Sequence, residues 1–544
     1  MQKTSALIAL VAAMAVGATA APAQKTTTPS KTAVTAPMPA AASASLKLVD
    51  PTQIRAHVKF LSDDLLEGRG TGQRGGDLAV QYIATQYALQ HLKPAGDNGT
   101  HLQKVPMVGL TTIPESSKFE LAPAKGEPVS LRFGKDITAY DESEQKVSDI
   151  DADIVFVGYG IDAPEYKWDD YKGVNVKGKV LLMLVNEPPS EDPKFFNGKA
   201  LTYYGRWTYK FEEAARKGAV GALIVHKTDM ASYGWNVVET SNTGEKSYLR
   251  GDNKPKVKMA SWIQLGVAEQ IAKSAGKDIS ALMEMAKSPD FKPVPLPVKM
   301  KAHVVSNVRP FDSYNVIGMI EGSDPKLKEQ GVLYSAHWDH LGIHQDQPGD
   351  NIYNGAVDNA TGVGVLLEIA RAFAENPIKP KRSVYFAAVT AEEQGLRGSE
   401  YLGQHPPVPA KDITLGLNFD GLAPIGVPED VSVTGAERNT FYSTVEQTAK
   451  EFKLTIVPDS NPGAGYYYRS DHFSMSRVGI PAFSVNQGEK FEGKPKEYGD
   501  KYEKEYTKNN YHQPSDEFHD DWDFGGNAKM ARFGVALGWK AANL

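Results

Sequence analysis

Four apolar runs decide the fold: NVIGMI at 315–320, GVLYSA at 331–336, RSVYFAAV at 382–389 and ITLGLNF at 413–419. Each is rich in Val, Ile, Phe and Leu and too short for an ordinary helix, so each reads as a buried strand. A helical pattern from Thr361 to Glu375 stands between the second and third, and PAFSV at 481–485 adds a further strand. Alternating strands and helices imply an α/β fold, a mostly parallel-stranded mixed sheet flanked by helices. In that architecture ligands gather at the carboxyl ends of the strands.

Those ends carry acids and imidazoles. His337 directly follows GVLYSA, Glu392 and Glu393 follow RSVYFAAV, and Asp420 follows ITLGLNF. Asp358 lies in a glycine-flanked loop before a helix, where helix capping is its ordinary role and Thr361 offers itself as the cap instead. His512 stands in the loop YHQPSDEF. These are the residue types that hold a pair of zinc ions, and a catalytic site also needs a carboxylate free to accept a proton. Glu392 and Glu393 divide those two jobs in an order that periodicity leaves open. Asp339, two positions beyond His337, is expected to accept a hydrogen bond from the imidazole through its carboxylate. Tyr511 reads equally as a packing residue or as a phenol that donates to a developing oxyanion. His340 and His344 are extra imidazoles outside the ligand set, and Asp471 and His472 read as pocket residues.

At 544 residues the chain is too long for one core. With 41% apolar residues, 23% charged and a formal charge of −6, it has the composition of a soluble globular protein, with no basic excess to bind nucleic acid. There is no cysteine, which excludes disulfides, thiol catalysis and thiolate zinc sites. The stretch MQKTSALIALVAAMAVGATAAPAQ reads as a secretory signal over 1–20, followed by a flexible linker over 21–46. Its apolar run falls short of the ~20 residues of a spanning helix, so no membrane span is expected after cleavage. Export points to a bacterial periplasmic or secreted protein.

Residues 47–140 hold two helical runs and the turn-rich EGRGTGQRGG at 67–76, in which Arg69 reads as a surface loop residue. Residues 141–300 change character. DIVFVGYGI, KVLLMLVNE and VGALIVH read as strands of an inserted β-rich domain, in which His226 reads as structural. Tyr203, Tyr204, Trp207 and Tyr209 suit a substrate groove or an interdomain seam equally. Residues 301–544 make up the catalytic domain.

Taken in order, HWDH, GAVDNATG, AEEQG, NFDG and YHQPSD resemble the M28 family of zinc peptidases. The resemblance covers roughly residues 50–140 and 305–540, and the middle segment looks like a protease-associated (PA) domain. It implies that His337 and Asp420 bind one zinc, Glu393 and His512 the other, and that Asp358 bridges both. It also implies Glu392 as general base, Asp339 as orienter of His337, Tyr511 in contact with the intermediate, and a cis peptide after Asp358. Arg469 and Arg477 alone do not make the arginine cluster of the carboxypeptidase branch. The expected activity is therefore that of a di-zinc aminopeptidase acting on peptides, with a carboxypeptidase or dipeptidase as alternative. A non-catalytic binding protein on the same scaffold is a further alternative, though decay of that kind usually removes ligands.

Overall fold

The computed structural model describes residues 35–344, 347–459 and 461–544. The expected signal and most of the expected linker lie outside these residues. The linker ends earlier than 46: helix α1 (Ala42–Leu48) already buries Ala42 and Ser45, and Ser45 Oγ accepts from the indole of Trp539 at 3.1 Å. Helix α2 (Pro51–Leu61) starts as its sequence dictates. Proline occupies the first turn, where no backbone donor is needed, and Asp50 caps by accepting from Thr52 N at 2.8 Å. Helix α3 (Arg74–Leu89) follows the glycine-rich turn.

Strand β1 (Leu102–Thr112) leads into the inserted unit, whose strands are β2 (Lys118–Pro123), β3 (Ile137–Tyr140), β4 (Val147–Phe156), β5 (Val180–Leu184) and β6 (Gly221–His226). Helix α4 (Trp235–Thr243), β7 (Lys246–Leu249) and β8 (Met259–Gln264) complete it. Its core draws on Phe119, Leu121 and Ile137 and runs to Val304, so the unit starts near residue 118 and not at 141.

The two halves share one strand. β9 (Val294–Ile320) is 27 residues long; its first part pairs with β2 and β4, and its second with β1. It then pairs with β11 (Ser383–Val389), beyond β10 (Gly331–His337) and helix α5 (Thr361–Ala374) in the chain. β12 (Ile413–Asn418), β13 (Ala482–Ser484) and the terminal helix α6 (Gly525–Ala542) complete the second half. The strand order is β13-β12-β10-β11-β9-β4-β5-β6-β8-β3, one continuous path across both units.

In the second half β10 lies between β11 and β12, parallel to both, and β13 is parallel to β12, while β9 is the antiparallel neighbour. This is the expected mixed sheet. α5 is apolar on most of its surface, apart from the paired Glu368 and Arg371, because it is enclosed by α2, α6 and the sheet; Val363, Leu366, Leu367, Ile369 and Phe373 are fully buried. Each such side chain contributes roughly 1.5–3 kcal/mol. No helix among the described residues is long and apolar enough to cross a membrane.

Candidate metal centre

Parallel pairing brings the ends of β10, β11 and β12 side by side, with His337 at the end of β10 and Asp420 two residues past β12. His337 Nε2 faces Asp420 Oδ1 at 3.2 Å and Asp358 Oδ1 at 3.3 Å. The other oxygen of Asp358 faces His512 Nε2 at 3.4 Å, and Glu393 Oε2 stands 3.0 Å from the same nitrogen. Asp358 thus belongs to two clusters at once, one carboxylate oxygen toward each imidazole. The five residues expected as ligands come together, although His512 is 154 positions from Asp358.

The loop around Asp358 is held from three sides. Gly355 has φ 56°, and a Cβ there would meet Asp358 O at 2.2 Å and the His340 ring at 2.5 Å, so only glycine fits. Asp516 accepts from the backbone of Val357 at 3.0 Å and of Asp358 at 3.1 Å, and from the Tyr506 hydroxyl at 3.0 Å. The Asp358–Asn359 peptide is cis. Thr361 does not cap: its hydroxyl donates to Val357 O at 2.8 Å, and Asn359 Oδ1 accepts from Gly362 N at 3.0 Å instead.

Three expectations need correction. The Asp339 carboxylate does not bond the imidazole: Oδ1 is 3.9 Å from His337 Nδ1, whose partner is the Asp339 main-chain carbonyl at 3.1 Å. The carboxylate turns instead to Glu392 N at 3.1 Å and the Thr71 hydroxyl at 3.2 Å, so it anchors the loop that carries the glutamates. Arg69 is no surface residue. It is 1% exposed and donates to the carbonyls of Leu61, Trp338, Asn354 and Gly355 at 2.5–2.8 Å. His340, set aside in the sequence, lies within the cluster, with Nδ1 2.6 Å from Glu393 Oε1. His344 lies against the Tyr353 ring, and the His226 ring bonds Tyr233 O at 3.0 Å in a structural contact.

The charges are strongly coupled. Burial, reinforced by the charges of Glu393, Asp420 and Asp471, pushes the Glu392 carboxyl well above its ordinary range, against the pull of His337. For Glu393 burial is outweighed by His512 and His340, which hold it down at about 2. Burial opposes protonation of His512, yet Glu393 and Asp358 raise it to about 9. Burial raises the Tyr511 phenol, which stays protonated beside His512 at a ring separation of 4.0 Å.

The site reaches into the inserted unit. Ser241 on α4 places its hydroxyl 2.8 Å from His512 Nδ1. Sequence reasoning passed over this residue, since nothing local marks it. Asp516 stood inside a quoted motif, four positions after His512, where a carboxylate beside an imidazole was the available signal.

The donor set suits divalent cations. His337, Asp358 and Asp420 bring one ligand atom each within 4.8 Å of one another, as do His340, Asp358 and Glu393. Nε2 of both His340 and His512 is buried without a hydrogen bond, although the latter faces two carboxylates. Buried imidazole nitrogens turned on carboxylates are what a borderline cation satisfies.

Residues 315–533 match the model of peptidase family M28. They form an M28 peptidase domain. The chain is 27% identical over 313 residues to carboxypeptidase Q of Xenopus laevis, covering 57% of this chain and 55% of the relative. Human carboxypeptidase Q is 26% identical over 291 residues, 53% of each chain. A probable zinc metalloprotease of Pyrenophora teres f. teres is 35% identical over 112 residues, 20% of this chain and 23% of that one. The chain thus spans about half the length of the carboxypeptidase Q relatives it matches. The fold is shared with the aminopeptidase from Aneurinibacillus sp. strain AM-1, at a TM-score of 0.51 and 18% identity, over 92% of this chain and 95% of that one.

Proposed function

We propose that the chain is an exported zinc exopeptidase, an aminopeptidase that uses two zinc ions. The observation that carries the reading is Asp358, with one carboxylate oxygen toward His337 and the other toward His512. His337 and Asp420 would hold one ion and Glu393 and His512 the other, with Asp358 shared; His340 is a further donor at the second. Zinc, when bound, polarises a scissile carbonyl and acidifies water. Glu392, which borders the cavity and is not among the proposed ligands, then takes the proton of the attacking water at its carboxylate and delivers it to the leaving amine. Tyr511, protonated and beside His512, donates to the carbonyl oxygen as negative charge develops there. The inserted unit, in our reading a PA-like domain, contributes the wall opposite the hydrolytic cluster.

The relatives named carboxypeptidase Q favour one second reading, attack from the other peptide end. Peptides blocked at the amino terminus should resist the enzyme and peptides blocked at the carboxyl terminus should be cleaved; the reverse pattern would replace the aminopeptidase reading by the carboxypeptidase one. Elemental analysis of the chain saturated with zinc should give two ions per chain, and a plateau at one would remove the bridging role of Asp358.

The contact between Ser241 and His512 predicts a further outcome. Ser241→Ala should weaken zinc binding about 10- to 100-fold, because the far nitrogen of a ligand imidazole loses its orienting partner. Competition with a chromophoric chelator reads this directly, and an unchanged affinity would show that the contact only packs.

A further inference from the structure

One loop serves both sides of the metal cluster. The segment 510–516 carries His512 and, four residues on, Asp516, whose carboxylate turns to the loop of Asp358. Its Oδ1 accepts from Val357 N at 3.0 Å, and its Oδ2 accepts from Asp358 N at 3.1 Å and from the Tyr506 hydroxyl at 3.0 Å. The main chains are tied as well, with Ala356 N donating to Asp516 O at 2.9 Å. Asp516 is 2% exposed and stands outside both groups of candidate ligands. The loop is also braced against itself. Gln513 N donates to Asn510 O at 2.9 Å, Asp516 N to Gln513 O at 3.1 Å, and the Asn510 side-chain amide to Ser515 O at 2.8 Å. His512 is held at φ 57°, a left-handed conformation that residues with a side chain rarely adopt. The loop grows out of the helix Tyr498–Asn509, where Tyr506 O accepts from Asn510 N at 2.8 Å and from Tyr511 N at 2.9 Å. Tyr506 thus grips the loop twice, at its start through the carbonyl and at its end through the hydroxyl.

Burying a carboxylate is costly, and three neutral donors offset the cost only where both oxygens accept. An amide cannot do the same: with a single oxygen it would turn its NH₂ group on the N–H of either Val357 or Asp358. The acid is therefore called for by the main chain beneath the bridging residue. We propose that Asp516, seated by Tyr506, is a positioning residue for the second zinc ion: it ties the backbone of Asp358 to the loop of His512, so that carboxylate and imidazole meet that ion as one unit. The second site, which Asp358 Oδ2, His512 and Glu393 surround, draws on both of the tied loops. The first takes Asp358 Oδ1 but has its other ligands at the strand ends, His337 closing β10 and Asp420 just past β12. Loss of the tie thus unseats two ligands of the second ion and one of the first. The inference rests on the two-zinc reading above and says which residues decide the occupancy of its second site.

Equilibrium dialysis of the full chain against a series of buffered free zinc concentrations, followed by elemental analysis, tests this without turnover. At the lowest free zinc that gives wild type two ions, Asp516→Asn should hold close to one, its affinity for the second ion falling about 10- to 100-fold. Tyr506→Phe keeps the ring and removes one hydrogen bond, so it should lower the same affinity about 2- to 10-fold. Circular dichroism and thermal melting show whether each variant folds. A role in folding alone would lower Tm and leave the folded variants with two ions, and that result would overturn the proposal. So would an equal loss of affinity at both sites. Should Asp516→Asn not fold, Tyr506→Phe decides, and an unchanged second affinity in that variant sinks the idea. A wild-type plateau at one ion is a different failure: it removes the two-zinc reading, and the positioning role with it.

Discussion

Glu392→Gln is expected to lower kcat by about 10²- to 10⁴-fold while zinc content stays at the wild-type level. The loop that carries Glu392 is anchored through its backbone, which donates to Asp339 Oδ1 at 3.1 Å, and its side chain borders the cavity. The amide is nearly the same size as the carboxylate and cannot accept the proton. It therefore removes the transfer and leaves the five proposed ligands in place. Paired measurements of kcat and of metal content decide the matter: activity within tenfold of wild type would sink the assignment of Glu392 as base, and joint loss of zinc would make it a ligand.

Arg69→Met should cost about 3–5 kcal/mol of stability, the range for removing one partner of a buried charged network. Its guanidinium is the common donor to four carbonyls from the end of α2, the end of β10 and the loop before Asp358. Burial lowers its pKa to about 10, while Asp516, Asp339, Asp358 and Glu393 hold the charge in place. Without it, four buried acceptors lose a donor and the acidic cluster loses a counter-charge. Lysine cannot replace it, having no planar fork to serve acceptors on several sides. Urea denaturation of wild type and variant checks this, and a difference below about 1 kcal/mol would mean that water substitutes for the guanidinium.

The strand ends were legible because parallel strands buried on both faces are written as unbroken apolar runs. His337, Glu393 and Asp420 could be located from where β10, β11 and β12 stop. Asp358 and His512 sit in loops, where residue type singled them out but only the family resemblance said which ion each would hold. Arg69 was misread since glycine-rich composition signals a turn, whereas its burial depends on carbonyls more than 260 positions away in Trp338, Asn354 and Gly355. Asp339 was misjudged in its atoms and not in its neighbourhood: a strand-end spacing of two brings the residues together but does not choose between carboxylate and carbonyl. Ser241 carries no local mark at all. The boundary at 300 cut through β9, where Pro295 and Pro297 disguise a strand that buries alternate residues from Leu296 onward.

A strand held in common has a consequence for how such a molecule can be rebuilt. Because β9 supplies hydrogen bonds to both sheets without a break, the inserted unit cannot be exchanged as a cassette through a pair of flexible joints. A graft of a foreign insert would have to preserve the register of β9 against β1 and β11 as well as the Ser241 contact. Changes in substrate range should therefore accumulate as substitutions on the cavity wall, one side chain at a time, and not by swapping the wall itself.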